Sequence, residues 1–260
     1  SSSPTPPRII TRAVDHWPAL SDRPWGDLNY LVRTIGADRL VPVEIGPDYT
    51  SPHWSQRLMP LAEFVQQYLI RPGTTGAAAS DQGDSGETAG QLPNMPDPPP
   101  AIGYLAQHDL LAQVPVLRQD IAVPDYCYCG PDPDDDGNEA ECPAPAEPLL
   151  NSWFGPAGTV SPLHHDPYHN LLTQVVGYKY IRLYSPAQSG RLYPFNAEDS
   201  LMTNTSQVDL DNIDDDCFPE FRSTPYYECI LVPGQILYIP PYWWHYVRSL
   251  STSFSISFWF

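Results

Sequence analysis

The sequence predicts a mainly β fold with flanking α-helices, a sandwich or barrel of the jelly-roll kind. In the second half of the chain, short runs of strand-forming residues alternate with turns such as those at Gly177 and Gly234. Segments 171–176 and 178–184 flank the first turn and predict a hairpin. Residues 253–258 alternate polar and apolar side chains, as a half-buried strand does. Many short strands joined by Gly and Pro turns are typical of jelly rolls.

The first half of the sequence predicts helices beside a strand. Residues 27–35 place apolar side chains at helical spacing, and Gly36 ends that helix. Residues 40–45 predict a strand at the edge of a sheet, because Pro42 has no N–H to donate. Pro60 opens a second predicted helix, since proline is tolerated at the first turn. The apolar stripe of that helix comprises Leu61, Phe64, Val65, Tyr68 and Leu69.

We expect one domain over residues 1–260. Residues 1–150 form its α/β flanking part, and 151–260 form the core that carries the chemistry. Residues 72–100 and 131–148 are rich in Pro and in small or acidic residues, so they predict mobile surface insertions. Neither insertion divides the protein into two domains, because the residues that pair chemically lie beyond both.

Charge and cysteine content narrow the class of protein. Lys and Arg number 13 against 31 Asp and Glu, a formal net charge of −18. This argues against binding to nucleic acid or anionic lipid and fits a basic partner, although solubility alone is an equal explanation. No apolar run approaches the roughly 20 residues that span a bilayer. Five cysteines without regular spacing argue against a secreted disulfide scaffold, so we expect an intracellular protein.

Two imidazoles and one carboxylate predict a metal site. His164 and Asp166 lie two residues apart, which places both side chains on one face of a strand. His245 lies 79 residues after Asp166, a distance that suits another strand of a jelly roll. Two His and one carboxylate suit non-haem Fe(II) with open coordination positions. His165 points to the opposite face and is not expected to be a ligand. The alternative is that these histidines are ordinary packed or surface residues.

The sequence around these ligands resembles the JmjC family of Fe(II)- and 2-oxoglutarate-dependent oxygenases. Within that family it is most similar to the lysine demethylase 8 branch, also described as arginyl hydroxylases. The resemblance implies a double-stranded β-helix, a cupin-like jelly roll, from about residue 8 to the end. The blocks that carry it are 41–44, 104–108, 124–127, 153–156, 161–167, 179–186, 204–209 and 244–248. The two insertions and His165, Tyr168 and His169 depart from the family pattern and leave the substrate open.

The resemblance also implies the co-substrates. Fe(II) bound by His164, Asp166 and His245 would use O₂ and 2-oxoglutarate, with succinate and CO₂ released. Lys179 matches the family lysine that pairs with the far carboxylate of 2-oxoglutarate. The other matches to co-substrate contacts are Tyr104, Ser161 and Asn170.

For the substrate, the resemblance implies a basic side chain of a protein. Glu44, Gln107, Trp153 and Trp259 match positions that line the substrate pocket of this branch. A carboxylate pairs with a guanidinium group, and indole rings offer flat walls for a cation. The alternative for Trp153 and Trp259 is ordinary core packing.

Three functions follow as expectations. The first is hydroxylation of a C–H bond in an arginine side chain of a protein substrate. The second is demethylation of an N-methyl-lysine of a histone by the same oxidation. The third is a non-catalytic module that binds basic peptides. A histone, a ribosomal protein or another chromatin-associated protein would suit these functions, and we expect a nuclear or cytoplasmic location.

Overall fold

A computed structural model describes residues 5–70, 102–129, 145–196 and 202–260. The predicted insertion at 72–100 lies outside the described residues, and only 145–148 of the second are described. The extent of the domain and its division at residue 150 therefore stay predictions. Among the described residues, no helix has the length and apolar character needed to span a bilayer.

Strands dominate the described residues, as predicted. The strands are β1 (Arg8–Ile10), β2 (Leu40–Ile45), β3 (Ser55–Pro60), β4 (Gly103–His108), β5 (Leu149–Gly155), β6 (Val160–His164), β7 (Asn170–Val176), β8 (Lys179–Tyr184), β9 (Tyr227–Leu231), β10 (Ile236–Ile239), β11 (Trp244–Ser249) and β12 (Ser253–Trp259). The helices are α1 (Leu28–Ile35), α2 (Leu61–Phe64), α3 (Leu110–Gln113) and α4 (Pro115–Arg118). A π-helical turn, Val65–Leu69, continues α2.

Two antiparallel sheets face each other, which confirms the predicted jelly roll. The major sheet has the order β1-β10-β7-β12-β5-β4-β2-β3, and the minor sheet has the order β6-β11-β8-β9. The helices pack on the outer face of the major sheet in the largest apolar cluster. A second cluster, which includes Leu172, Ile181 and Leu237, joins the facing sides of the sheets. The segment after β8 covers the outer face of the minor sheet.

The predicted helix boundaries are confirmed. The side chain of Asp27 accepts a hydrogen bond from Asn29 N and caps α1. Gly36, with φ of 100°, ends that helix in a conformation that side chains rarely adopt. Four of the five apolar residues predicted after Pro60 are buried, and Leu69 is partly buried.

The prediction that β2 lies at a sheet edge is wrong. β2 pairs with β3 along its whole length and with β4 through Glu44 and Ile45. Pro42 lies outside the part of the strand that has two neighbours. Its missing N–H therefore costs no ladder bond on the β4 side, and the edge position passes to β3.

The prediction of a hairpin around Gly177 is also wrong. β7 pairs with β10 and β12 in the major sheet, whereas β8 pairs with β11 and β9 in the minor sheet. Gly177 has φ of 71°, and a Cβ there would clash with the carbonyl oxygen of Thr252. Only glycine fits this turn. The turn takes the backbone directly from one sheet to the other and places Lys179 between the two sheets.

Strand β12 is buried on both faces, not on one as its alternation predicts. Phe254, Ile256 and Phe258 pack in the cluster beneath the helices. The serines face the space between the sheets and are satisfied there. Ser255 donates to Gln174 Oε1, and Ser257 accepts from Trp153 Nε1. A polar face is therefore compatible with burial when its neighbours supply hydrogen bonds.

A buried carboxylate ties the N-terminal segment to the helices. Asp120 is fully buried and accepts hydrogen bonds from Trp25 Nε1 at 3.0 Å and Tyr30 Oη at 2.6 Å. Arg23 Nη1 forms an ion pair with it at 2.8 Å. The three partners approach from one stretch of sequence about 95 residues away.

We expect Asp120→Ala to lower the free energy of unfolding by about 2–4 kcal/mol, because it strips buried donors and a cation of their acceptor. Urea denaturation measures this change. Glu220→Ala is the matched control, since its ion pair with Arg191 is exposed and should contribute under about 1 kcal/mol. Equal losses in the two variants would contradict this account of Asp120.

Candidate metal centre and adjoining cavities

The three predicted metal ligands converge. His164 in β6 and His245 in β11 are direct cross-strand partners in the minor sheet, with ring centroids 4.2 Å apart. Their Nε2 atoms lie 3.8 Å and 3.6 Å from Asp166 Oδ2. One donor atom from each residue lies within 4.8 Å of the others, a spacing that suits a single metal ion.

Simple strand alternation does not arrange this centre, because β6 is bulged and ends at His164. Between the pairs His245–His164 and Val247–Ser161, β6 has one residue more than β11. Ser161 and His164 therefore line the same cavity although they are three residues apart. Asp166 lies beyond the end of β6, and its carbonyl oxygen accepts a bond from Tyr242 N at 2.8 Å. The predicted convergence is correct, but its predicted cause is not.

Hydrogen bonds to the backbone determine which ring nitrogen of each histidine is free to bind a metal. His164 Nδ1 lies 2.7 Å from Pro162 O, and His245 Nδ1 lies 3.0 Å from Trp243 O. A carbonyl oxygen only accepts, so Nδ1 carries the hydrogen and Nε2 keeps a free lone pair. Burial lowers the pKa of His245 to about 4, which keeps its ring neutral. Two imidazoles and a carboxylate are a donor set that fits Fe(II).

His165 lies outside this group, as predicted. Its ring packs edge-on against Trp244, with centroids 4.5 Å apart, and burial lowers its pKa.

An inner cavity, lined by Tyr104, Ser161, Asn170, Lys179 and Trp259, lies on one side of the three ligands. Lys179 is 1% exposed, and its Nζ donates to Tyr104 Oη at 3.2 Å. No carboxylate forms an ion pair with this ammonium among the described residues. Burial lowers the pKa of Lys179 to about 7 and raises the pKa of Tyr104. A buried lysine without a counter-ion fits an anionic ligand.

Two further polar atoms in the wall of the inner cavity lack partners. Trp259 Nε1 and Asn170 Oδ1 are buried without a hydrogen bond among the described residues. Asn170 and Trp259 are cross-strand partners on β7 and β12, so these groups lie together. Buried polar groups are normally satisfied, and a carboxylate-bearing ligand would satisfy the indole donor. The residues present therefore fit 2-oxoglutarate.

An outer cavity of about 320 Å³ adjoins the inner cavity, and His164 and Asp166 line both. Its wall includes Glu44, Tyr49, Gln107, Trp153, Asn204 and Thr205. Burial raises the pKa of Glu44, and a hydrogen bond from the side chain of Trp54 opposes that rise. A bulge in β4 and a φ of 46° place Gln107 at this wall. The two cavities share Tyr104, Trp153 and Ser161.

The structure separates one predicted substrate residue from the rest. Glu44, Gln107 and Trp153 line the outer cavity together, whereas Trp259 lines the inner cavity beside Lys179. Tyr168 stacks on Trp259 with centroids 5.5 Å apart. Trp259 therefore lies beside the residues that match co-substrate contacts, and not with the other predicted substrate residues.

The sequence predicted no site role for Tyr49, Trp54 or Thr205. Tyr49 and Trp54 lie in the loop between β2 and β3, and Thr205 forms an isolated bridge with His164. The signal that could have pointed to Tyr49 and Trp54 is their position in the sequence, shortly after Glu44. A loop that follows Glu44 directly is a place where binding residues concentrate.

Comparison with known proteins identifies the family. The sequence matches the model of the cupin-like domain over residues 2–260. It is 45% identical over 256 residues to lysine-specific demethylase 8 of Xenopus tropicalis, covering 98% of this chain and 48% of that protein. It is 43% identical over 256 residues to lysine-specific demethylase JMJ30 of Arabidopsis thaliana, covering 98% and 50%. It is 40% identical over 253 residues to Jumonji C domain-containing protein 5 of Drosophila melanogaster, covering 97% and 54%.

The chain spans about half the length of the curated relatives that it matches. Members of the JmjC family depend on Fe(II) and 2-oxoglutarate. The match over nearly the whole sequence, together with the His-Asp-His centre, shows that this protein belongs to the JmjC family of cupin-like oxygenase domains.

Proposed function

We propose that this protein is an Fe(II)- and 2-oxoglutarate-dependent oxygenase that hydroxylates a C–H bond in an arginine side chain of another protein, with release of succinate and CO₂. The observation that carries the proposal is the half-buried Glu44 carboxylate in the cavity that adjoins the metal ligands. A guanidinium group is the cation whose shape best matches a carboxylate in a narrow space.

His164, Asp166 and His245 would hold the metal on one face, which leaves the remaining positions open. Bound iron would supply the oxidising chemistry, with O₂ and 2-oxoglutarate as co-substrates. The bonds to Pro162 O and Trp243 O orient the two rings and leave Nε2 of each free to bind the metal.

Lys179 would pair with the far carboxylate of 2-oxoglutarate, and Tyr104 would donate to the same group. Both side chains are buried, so the ionic contact forms where water screens it least. Ser161 and Asn170 line the same cavity and are proposed as further contacts. In this arrangement the other end of the molecule reaches the metal ligands.

Glu44 would pair with the substrate guanidinium, with Trp153 as a flat wall and Gln107 as a polar contact. Trp153 is fixed by its bond to Ser257, so its ring is held in place before the substrate arrives. Trp259 is proposed to act on the co-substrate side, where its Nε1 lies without a partner among the described residues.

Histone N-methyl-lysine demethylation is the second candidate. Two of the relatives are named lysine-specific demethylases, and the same metal centre would serve that oxidation. A carboxylate in the cavity favours arginine, because a trimethylammonium group offers no N–H to donate. A non-catalytic module that binds basic peptides is the third candidate.

The net charge of −18 supports a basic protein partner over nucleic acid. We propose a histone, a ribosomal protein or another chromatin-associated protein as the substrate, in the nucleus or cytoplasm.

Metal binding tests the centre. Mn(II) at about a hundredfold excess over its Kd should stabilise the fold by about 2.7 kcal/mol, which raises Tm by several degrees. His164→Ala should abolish this rise in a thermal unfolding assay. The matched control, exposed His16→Ala, should retain it. An undiminished rise in His164→Ala would contradict the assignment.

Proton uptake tests the role of Lys179. With a pKa near 7, its amine is mostly neutral at pH 8 and must gain a proton to pair with a carboxylate. Calorimetry of 2-oxoglutarate binding to the Mn(II)-loaded protein, in buffers of different ionisation enthalpy, should show close to one proton taken up at pH 8 and little at pH 6. Affinity should therefore fall as pH rises through 7. Lys179→Met should remove the uptake, and uptake that persists in this variant would exclude the lysine as its source.

Mass spectrometry of peptides decides among the three functions. The Fe(II)-loaded protein with 2-oxoglutarate should add one oxygen to an arginine peptide. Glu44→Gln should lower kcat/KM for that peptide about 10- to 100-fold, with KM for 2-oxoglutarate unchanged. Glu220→Gln, which removes an exposed carboxylate, is the matched control.

Formaldehyde from methyl-lysine peptides without oxidised arginine would favour the demethylase. Peptide binding that Asp166→Ala preserves, with neither product, would favour the binding module.

A further inference from the structure

We propose that Tyr49 is a specificity-determining residue whose ring contacts the cationic group of the substrate and sets the width of the outer cavity. The inference rests on the proposed function, since it assumes that the outer cavity receives a basic side chain. The reason lies in how the loop between β2 and β3 holds this ring beside the metal ligands.

The loop that carries Tyr49 is fixed at several points. Asp48 Oδ1 accepts from Thr50 N at 2.8 Å and Thr50 Oγ1 at 2.6 Å, immediately around Tyr49. Trp54 N donates to Ser51 O at 3.0 Å and closes the loop. These bonds hold the backbone on either side of Tyr49, whose side chain lines the outer cavity.

Tyr49 reaches across to the opposite wall of the cavity. Its side chain is hydrogen-bonded to Thr205, which is 2% exposed and forms a backbone bridge with His164. The Tyr49 ring also lies edge-on to the His164 ring, with centroids 6.4 Å apart. One aromatic residue therefore connects the β2–β3 loop, the segment around Thr205 and a metal ligand.

The surroundings of Tyr49 suit a cation. Tyr49 lines the outer cavity together with Glu44 and Asp166, so its ring lies near two carboxylates. A neutral aromatic ring next to carboxylates offers a guanidinium both a π face and an ionic partner. Tyr49 is thus an attractive wall for the same group that Glu44 would bind.

The neighbours of Tyr49 in the chain line a different space. A second groove of about 280 Å³ is lined by Asp48, Thr50 and Asp209, and Val160 lines both spaces. Residues 48 and 50 thus line the groove, whereas Tyr49 lines the outer cavity. Removing the ring would widen the outer cavity at this wall and admit bulkier groups beside the metal ligands.

Peptide affinity tests this proposal without relying on turnover. Protein loaded with Mn(II) and N-oxalylglycine, a 2-oxoglutarate analogue, is titrated with an arginine peptide and with the same peptide carrying trimethyl-lysine. Tyr49→Ala should raise Kd for the arginine peptide about tenfold, in line with the energy of a desolvated cation–π contact. Its preference for arginine over trimethyl-lysine should also fall. Tyr49→Phe keeps the ring but loses the bond to Thr205, and should raise the arginine Kd about threefold.

Two controls make the result specific. Tyr128→Ala removes an exposed ring that lines neither cavity and should leave both affinities unchanged. The affinity of every variant for N-oxalylglycine should stay within about twofold of the wild type, since Tyr49 is not part of the inner cavity. Unchanged peptide affinity and preference in Tyr49→Ala would overturn the proposal, as would an equal loss of N-oxalylglycine affinity. Failure of wild-type protein to bind the arginine peptide would overturn it too. Tyr49-dependent binding without arginine oxidation would instead overturn only the proposed function.

Discussion

The pairing of β6 with β11 is the constraint on which the rest of the site depends. It sets His164 opposite His245 in adjacent strands, and the extra residue in β6 turns Ser161 to the same side. Backbone carbonyls then fix both rings with Nε2 towards Asp166. The metal centre is therefore a property of the backbone register, and a slip of one residue would turn every ligand in the strand away.

This register also places His164 and Asp166 in a wall that two cavities share. The inner cavity contains the buried amine of Lys179, which has no ion-pair partner among the described residues, whereas the outer cavity contains the side chain of Glu44. In the proposed function, an anionic co-substrate and a cationic substrate side chain would therefore meet at the same metal ligands.

Much of this arrangement is predictable from the sequence, and the exceptions have physical reasons. Local sequence patterns predict α1, β2 and β12, because helix caps, the spacing of apolar residues and polar–apolar alternation depend on residues close in sequence. They fail for the turn at Gly177, whose strands belong to different sheets, because pairing partners are chosen by long-range packing. They also fail for Tyr49, whose role depends on Thr205, a residue far away in sequence. The placement of Trp259 beside Lys179 likewise depends on how strands far apart in sequence pair.

We propose that one metal centre joins an anion site to a cation site. A crystal structure with Mn(II), N-oxalylglycine and an arginine peptide is the decisive measurement. We expect the far carboxylate of N-oxalylglycine against Lys179 and the guanidinium within hydrogen-bond distance of Glu44, with the arginine side chain over the metal. A guanidinium bound outside the outer cavity, or an analogue that leaves Lys179 unpaired, would disprove this proposal.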